Sequence, residues 1–182
     1  MDKKELRKEI QNRAAALTDE YVKGASRAIC ERLFALYEFK AAKSLFVYLS
    51  AGKEPETDEI IEKARALKKE VFVPVCTGPG VMRAAALSGA QFEINKYGIR
   101  EPVFWEREAA PGELDLIIVP CVSASKDKKR LGHGGGYYDR FLKESPAFSA
   151  CLCFDALLSD GIPEEPHDLR PDCVITEKET YL

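Results

Sequence analysis

The stretch KRLGHGGGYYDRFL, residues 129–142, places four glycines within five positions, with cations ahead of them and two tyrosines and an aspartate behind. Glycine in regular structure costs roughly 0.5–1 kcal/mol relative to alanine, so the cluster needs a reason. One tight loop-to-helix turn with positive φ would need a single glycine. Several bare amides in a row can instead point together at an anion, and a helix that follows them adds the positive end of its dipole. Lys128, Lys129 and Arg130 bring cationic side chains to the same place. The chemistry that suits such a set is phosphate binding. Neither common fingerprint is present. No Lys-Ser or Lys-Thr follows the glycines, as a P-loop requires, and Tyr137 stands where a dinucleotide-binding motif counted from Gly132 needs glycine.

Other residues could serve the same chemistry. Lys3 and Arg7 are four apart and share one face of a helix; they are either a solvated charge face or a pair of phosphate contacts. Asp139 lies a short step from the cradle, where magnesium needs few protein oxygens because phosphates and water complete its shell. A first-turn acid that stabilises the helix dipole is the other reading of Asp139. Glu56 precedes a helix with Thr57 as its N-cap, at the carboxyl end of an apolar strand. The six cysteines form no CxxC pair and no zinc spacing, and they are read as buried free thiols of a cytosolic protein.

These residues must be held by something. Leu6, Ile10, Ala14 and Leu17 repeat at helical spacing, and Thr18 and Asp19 stop that helix and start a second, which runs to about Leu36. The pattern then alternates. SLFVYLS (44–50) reads as a strand and PETDEIIEKARALKK (55–69) as a helix. VFVPV (71–75) is a strand, with VMRAAAL (81–87) as its antiparallel extension. LDLIIVP (114–120) is the most apolar strand. The glycine stretch leads into a helix at YYDRFLK, and ACLCF (150–154) and DCVIT (172–176) are the last strands. Continuous apolar strands alternating with helices indicate an α/β fold, a three-layer α/β/α arrangement with a mostly parallel sheet and two N-terminal helices. In such sheets ligands bind beyond the carboxyl ends of the strands, which is where the glycine stretch falls.

The 182 residues are expected to form one domain, residues 1–182, with a core that needs no metal or disulfide staple. A net charge of −3 argues against nucleic acid or an anionic membrane as partner. No apolar run has the roughly 20 residues of a membrane span, and the charged N-terminus lacks a signal-peptide core. A cytoplasmic location is expected.

RLGHGGGYYDRFL resembles the RLGxGxGYYDR signature of the 5-formyltetrahydrofolate cyclo-ligases, also called methenyltetrahydrofolate synthetases. The resemblance extends to Lys3, Leu6 and Arg7, to PETDEII, to KYGIREP, to VPCVSASKDKKRLG and to PEEPHDLRPDCVITE. It implies ATP- and Mg²⁺-dependent closure of 5-formyltetrahydrofolate to 5,10-methenyltetrahydrofolate, with ADP and phosphate released and a phosphorylated formyl group as intermediate. It places ATP against Lys3, Lys4, Glu5, Leu6 and Arg7 and along Arg130, Leu131, Gly132, His133, Gly134, Gly135, Gly136, Tyr137 and Tyr138. Lys3 and Arg130 take the catalytic roles. The reduced folate lies against Ala51, Glu56 and His133 to Tyr137, and Asp139 and Asp168 hold the metal. One tyrosine is expected to stack on the pterin and the other to point inward. Lys96 and Arg100 are candidates for a glutamate or polyglutamate tail. Cys121 and Ser123-Ala124-Ser125 depart from the family pattern, and 91–105 has no clear counterpart of its mid-domain tryptophan, although Trp105 ends that stretch; these departures touch the folate side more than the phosphate cradle. A monomer is expected, with an oligomer left open. Two other classes compete: a sugar-phosphate isomerase or coenzyme A transferase-like enzyme on a related sheet, and a noncatalytic binding module, for RNA for example.

Overall fold

A computed structural model describes residues 1–94 and 100–182. Asp2 starts the first helix. Its carboxylate accepts the N–H of Glu5 at 2.8 Å while the Glu5 carboxylate accepts the N–H of Asp2 at 2.9 Å. This reciprocal capping box begins α1 (Lys3–Ala15), whose Leu6 and Ile10 are buried. The Thr18 hydroxyl accepts the N–H of Tyr21 at 3.1 Å and so starts α2 (Asp19–Ala35), as its residue type suggested. A five-residue helix, α3 (Tyr37–Ala41), which the sequence did not announce, then turns the chain into β1 (Ser44–Val47).

The elements that follow are α4 (Asp58–Ala66), β2 (Glu70–Gly78), β3 (Val81–Ala86), β4 (Gln91–Ile94), β5 (Arg100–Phe104), β6 (Glu108–Ala109) and β7 (Leu116–Val119). The chain continues through β8 (Ser123–Ala124), β9 (Arg130–Leu131), α5 (Tyr137–Lys143), β10 (Phe148–Leu152), β11 (Cys173–Ile175) and β12 (Thr180–Tyr181). Eight strands make one sheet in the order β12-β11-β10-β7-β1-β2-β3-β6. The strands from β11 to β2 run parallel to their neighbours, and β12, β3 and β6 add antiparallel edges. All residues of β1 and β7 are buried. Because successive side chains of a strand point to opposite faces, both faces of the sheet centre are covered. On one of them Phe46 stacks on Phe141 of α5 with ring centroids 4.7 Å apart. The α/β fold with its mostly parallel sheet is therefore as the sequence indicates, including the antiparallel β3.

Two local readings are corrected. Thr57 occupies the N-cap position of α4, but its side chain caps nothing. Its hydroxyl donates to the Tyr48 carbonyl at 2.7 Å and accepts the N–H of Ser50 at 3.2 Å, which ties α4 to the exit of β1. All six cysteines are free thiols and five are buried, but Cys76 is exposed where β2 bulges away from β3. Among the described residues, no helix is long and apolar enough to cross a membrane.

The strand order carries one more consequence. From β1 the chain adds β2 on one side, then crosses to add β7 and β10 on the other. Successive loops thus leave β1 and β7 in opposite directions, and the gap beyond their carboxyl ends is a topological switch point.

Candidate active site

A cavity of about 1060 Å³ opens at that switch point, at the upper end of the size range typical of small-molecule sites. Tyr48 and Glu54, after β1, form one wall, and Pro120 and Cys121, after β7, form another. The glycine loop, Gly132 to Gly136, closes a third side, and Lys3, Lys4 and Arg7 reach in from α1. Two distant segments thus meet over one space.

The glycine loop answers the question its composition raised. Gly134 has φ +103° and Gly136 has φ +65°, conformations that side-chain-bearing residues rarely adopt. Among the described residues, no N–H from Gly132 to Gly136 donates to a protein acceptor. These N–H groups are left for an acceptor outside the protein, and the residues that carry them line the cavity. Arg7 lies against them, because its Nε donates to the Gly132 carbonyl at 2.7 Å. The helix that follows has only seven residues, so its dipole adds little; the bare amides and the cations dominate.

Arg130 lines the cavity from beneath the loop. Its side chain is 4% exposed. Nη1 donates to the Pro120 carbonyl at 3.2 Å and Nη2 to Asp139 Oδ1 at 2.8 Å. Asp139 Oδ1 also accepts the N–H of Leu169 at 3.2 Å, which brings the PHD segment under the same loop. There the ammonium of Lys3 lies 2.6 and 2.8 Å from the two oxygens of Asp168 and 2.9 Å from Glu165. Burial pushes the Asp168 carboxyl up, but the Lys3 ammonium and the N–H of Glu165 outweigh it and hold the group below its usual range. Partial burial lowers Lys3, while Asp168 and Glu165 raise it further, so the ammonium stays charged. Glu165 and His167, which sequence reasoning did not select as ligands, bring donor atoms within 4.8 Å of those of Asp168.

The other expected contacts divide. Ala51 lines the cavity. Glu5 and Leu6 do not: Glu5 is spent on the α1 capping box and Leu6 is buried in the core. Glu56 also stands outside the lining, where its N–H donates to Ser26 Oγ at 2.9 Å. Glu54, two residues earlier, faces inward. Its carboxylate accepts the N–H of Ala51 at 2.9 Å and stands 3.2 Å from Nε2 of His133, joining the loop after β1 to the glycine loop. Tyr137 lines the mouth, and its hydroxyl is 3.5 Å from the Gly78 carbonyl. Tyr138 turns toward the sheet, its ring centroid 6.2 Å from that of Phe46, and its buried hydroxyl has no hydrogen-bond partner. Arg100 of β5 lines the rim and pairs with Asp58 at 2.5 Å. Lys96 lies outside the described residues.

An open, mostly parallel sheet with a cavity beyond the carboxyl ends of its strands places the chain among α/β proteins with a small-molecule site at the switch point. Comparison with known proteins makes the assignment particular. The sequence profile of the 5-formyltetrahydrofolate cyclo-ligase family matches residues 1–177. A Schizosaccharomyces pombe protein named "probable 5-formyltetrahydrofolate cyclo-ligase" is 32% identical over 97% of this chain and 95% of its own length. The Mus musculus 5-formyltetrahydrofolate cyclo-ligase is 29% identical over 96% of this chain and 93% of its own. The solved structure of Aquifex aeolicus 5,10-methenyltetrahydrofolate synthetase superposes with a TM-score of 0.86 at 29% identity, covering 99% of this chain and 92% of that one. The chain belongs to the 5-formyltetrahydrofolate cyclo-ligase family and is an enzyme of that class.

Proposed function

We propose that the protein closes 5-formyltetrahydrofolate to 5,10-methenyltetrahydrofolate at the expense of ATP, assisted by Mg²⁺, with release of ADP and phosphate. The observation that carries this reading is the run of glycine-loop N–H groups without protein acceptors, facing a cavity that Lys3 and Arg7 also enter. A triphosphate supplies the acceptors that this surface lacks, and preorganised donors of this kind favour charge that develops during transfer.

The chemistry follows from the substrate. An N-formyl oxygen is a poor leaving group. It attacks the γ-phosphorus, the bridging bond to the β-phosphate breaks, and ADP departs. N10 of the same folate then attacks the activated carbon, the C–O bond breaks, phosphate leaves and N10 loses its proton. Both attacks need alignment more than a protein nucleophile. The loop amides, Lys3 and Arg7 hold the phosphates. Arg130, from beneath, holds Asp139 and the exit of β7 in place. Glu54 is suited to accept hydrogen bonds from the amide and amino edge of a pterin, beside Ala51 and Tyr137.

Asp168 and Glu165, with His167 beside them, line the cavity and offer oxygens that fit a hard ion sharing its shell with phosphates, while Asp139 is held by Arg130 and the N–H of Leu169. Held by these carboxylates, Mg²⁺ would supply charge neutralisation to the triphosphate. The test of the whole reading is spectroscopic. Purified protein, 5-formyltetrahydrofolate, ATP and Mg²⁺ should give the near-ultraviolet absorbance of the methenyl product. Absence of any ATP-dependent rise would remove the proposal.

A further inference from the structure

Lys3 has two possible anionic partners and, in the ligand-free protein, contacts only one of them. From α1 it lines the same cavity as the glycine loop. Its ammonium nevertheless rests on carboxylates, with both oxygens of Asp168 and one of Glu165 within 2.9 Å. The side chains of Lys3 and Asp168 are 15% and 16% exposed and that of Glu165 54%, so the pair is partly shielded from water and from salt. The N–H of Glu165 fixes Asp168 Oδ2 from another side, at 2.6 Å. The place where Asp168 and Glu165 could jointly hold a divalent ion is thus already filled by a cation of the protein itself.

We infer that Lys3 is the resident counter-ion of the metal carboxylates, and that it exchanges Asp168 for the triphosphate when metal and nucleotide arrive together. The inference rests on the metal role proposed above for Asp168. A bare divalent ion has to evict the ammonium and leaves it without an anion in a partly shielded place. An ion that arrives with its nucleotide brings the replacement anion, so each charge keeps an opposite partner throughout. The protein then takes up metal and ATP as one ligand and holds the free ion poorly. The geometry also gives Lys3 a reason to be the first residue after the Asp2 cap: from the first turn of α1 it touches Asp168 and also lines the cavity that the glycine loop closes.

The test is metal binding without turnover. Mn²⁺ serves as the probe, and its free concentration is read by electron paramagnetic resonance with wild type, Lys3→Met and Lys3→Gln. Without nucleotide, both variants should bind Mn²⁺ about tenfold more tightly than wild type, the response to losing one shielded, charge-assisted competitor. Wild type should hold Mn²⁺ firmly only when a nonhydrolysable ATP analogue is added. Equal affinity of wild type and both variants for Mn²⁺ alone would overturn the exchange, as would wild-type binding that is indifferent to nucleotide. Asp168→Asn separates the two layers. If it leaves Mn²⁺ binding in the presence of nucleotide intact, the metal role of Asp168 fails. If it abolishes that binding while the Lys3 variants show no gain, only the exchange fails.

Discussion

Replacing Arg130 by methionine discriminates between a side chain that grips phosphate and one that braces the loop. The guanidinium is 4% exposed and gives one hydrogen bond to the Pro120 carbonyl and one to Asp139. Breaking a buried ion pair by removing one partner typically costs about 3–5 kcal/mol. Here Asp139 is 17% exposed and keeps the N–H of Leu169, so the lower figure of about 2–3 kcal/mol applies. For a chain of this length that is a fall in Tm of roughly 5–10 °C. Arg130→Lys should recover only part of it, because an ammonium lacks the planar fork that reaches both partners at once. The assay is urea unfolding of the ligand-free protein followed by far-ultraviolet circular dichroism, beside the KM for ATP. Wild-type stability in Arg130→Met together with a large loss in kcat/KM for ATP would refute the bracing argument and return Arg130 to the phosphates.

Glu54→Gln should raise the KM for the folate about tenfold or more, the usual consequence of losing a charged acceptor, while the KM for ATP hardly moves; steady-state kinetics with each substrate varied decides it. Tyr138→Phe should leave the ligand-free protein as stable as wild type or up to about 1 kcal/mol more stable, since a buried hydroxyl without a partner is removed; a thermal melt reads this directly. Gly136→Ala should cost about 1–2 kcal/mol in urea unfolding, because a Cβ must accept φ +65° and would stand 2.9 Å from the Arg140 guanidinium. Asp115 gives a pH prediction. Burial pushes its carboxyl up, but the N–H groups of Lys43 and Ser44 and the Ser44 hydroxyl outweigh this and hold it below its ordinary value. Its stabilisation is therefore complete above the unfolded-state value of about 3.9 and is lost as pH falls through the lower folded-state value; Asp115→Asn should flatten that part of the acid-unfolding curve.

The parallel centre of the sheet was legible because burial on both faces writes itself into the chain as unbroken apolar runs, as in LIIV of β7. The start of α5 was legible because the glycines end abruptly at Tyr137. The β4–β5 hairpin was not: every residue of β4 is exposed, so no alternation marks it. Two-residue strands such as β6 and β9 exist only through their partners. Within the site, the resemblance points to Glu56, whereas Glu54 is the glutamate that lines the cavity. What turns Glu54 inward is a local closure that no periodicity reveals, in which the Glu54 N–H meets the Ala51 carbonyl at 3.3 Å while the Glu54 side chain accepts from Ala51. The resemblance places Arg130 against ATP; what the letters do not show is that its guanidinium is 4% exposed and held from two sides. Its burial follows from the β8–β9 hairpin, whose pairing of Ala124 with Arg130 is a long way from obvious in the letters.

The contacts that close α1 over the cavity join residues 165 positions apart, from Lys3 to Asp168, and 125 apart, from Arg7 to Gly132. A chain emerging from a ribosome amino end first carries its cationic helix for most of its synthesis before the groups that receive it exist. Contacts of such separation are also the slowest to form in refolding. A ligand held jointly by α1 and the PHD segment can therefore stabilise only molecules synthesised through that segment and closed upon themselves.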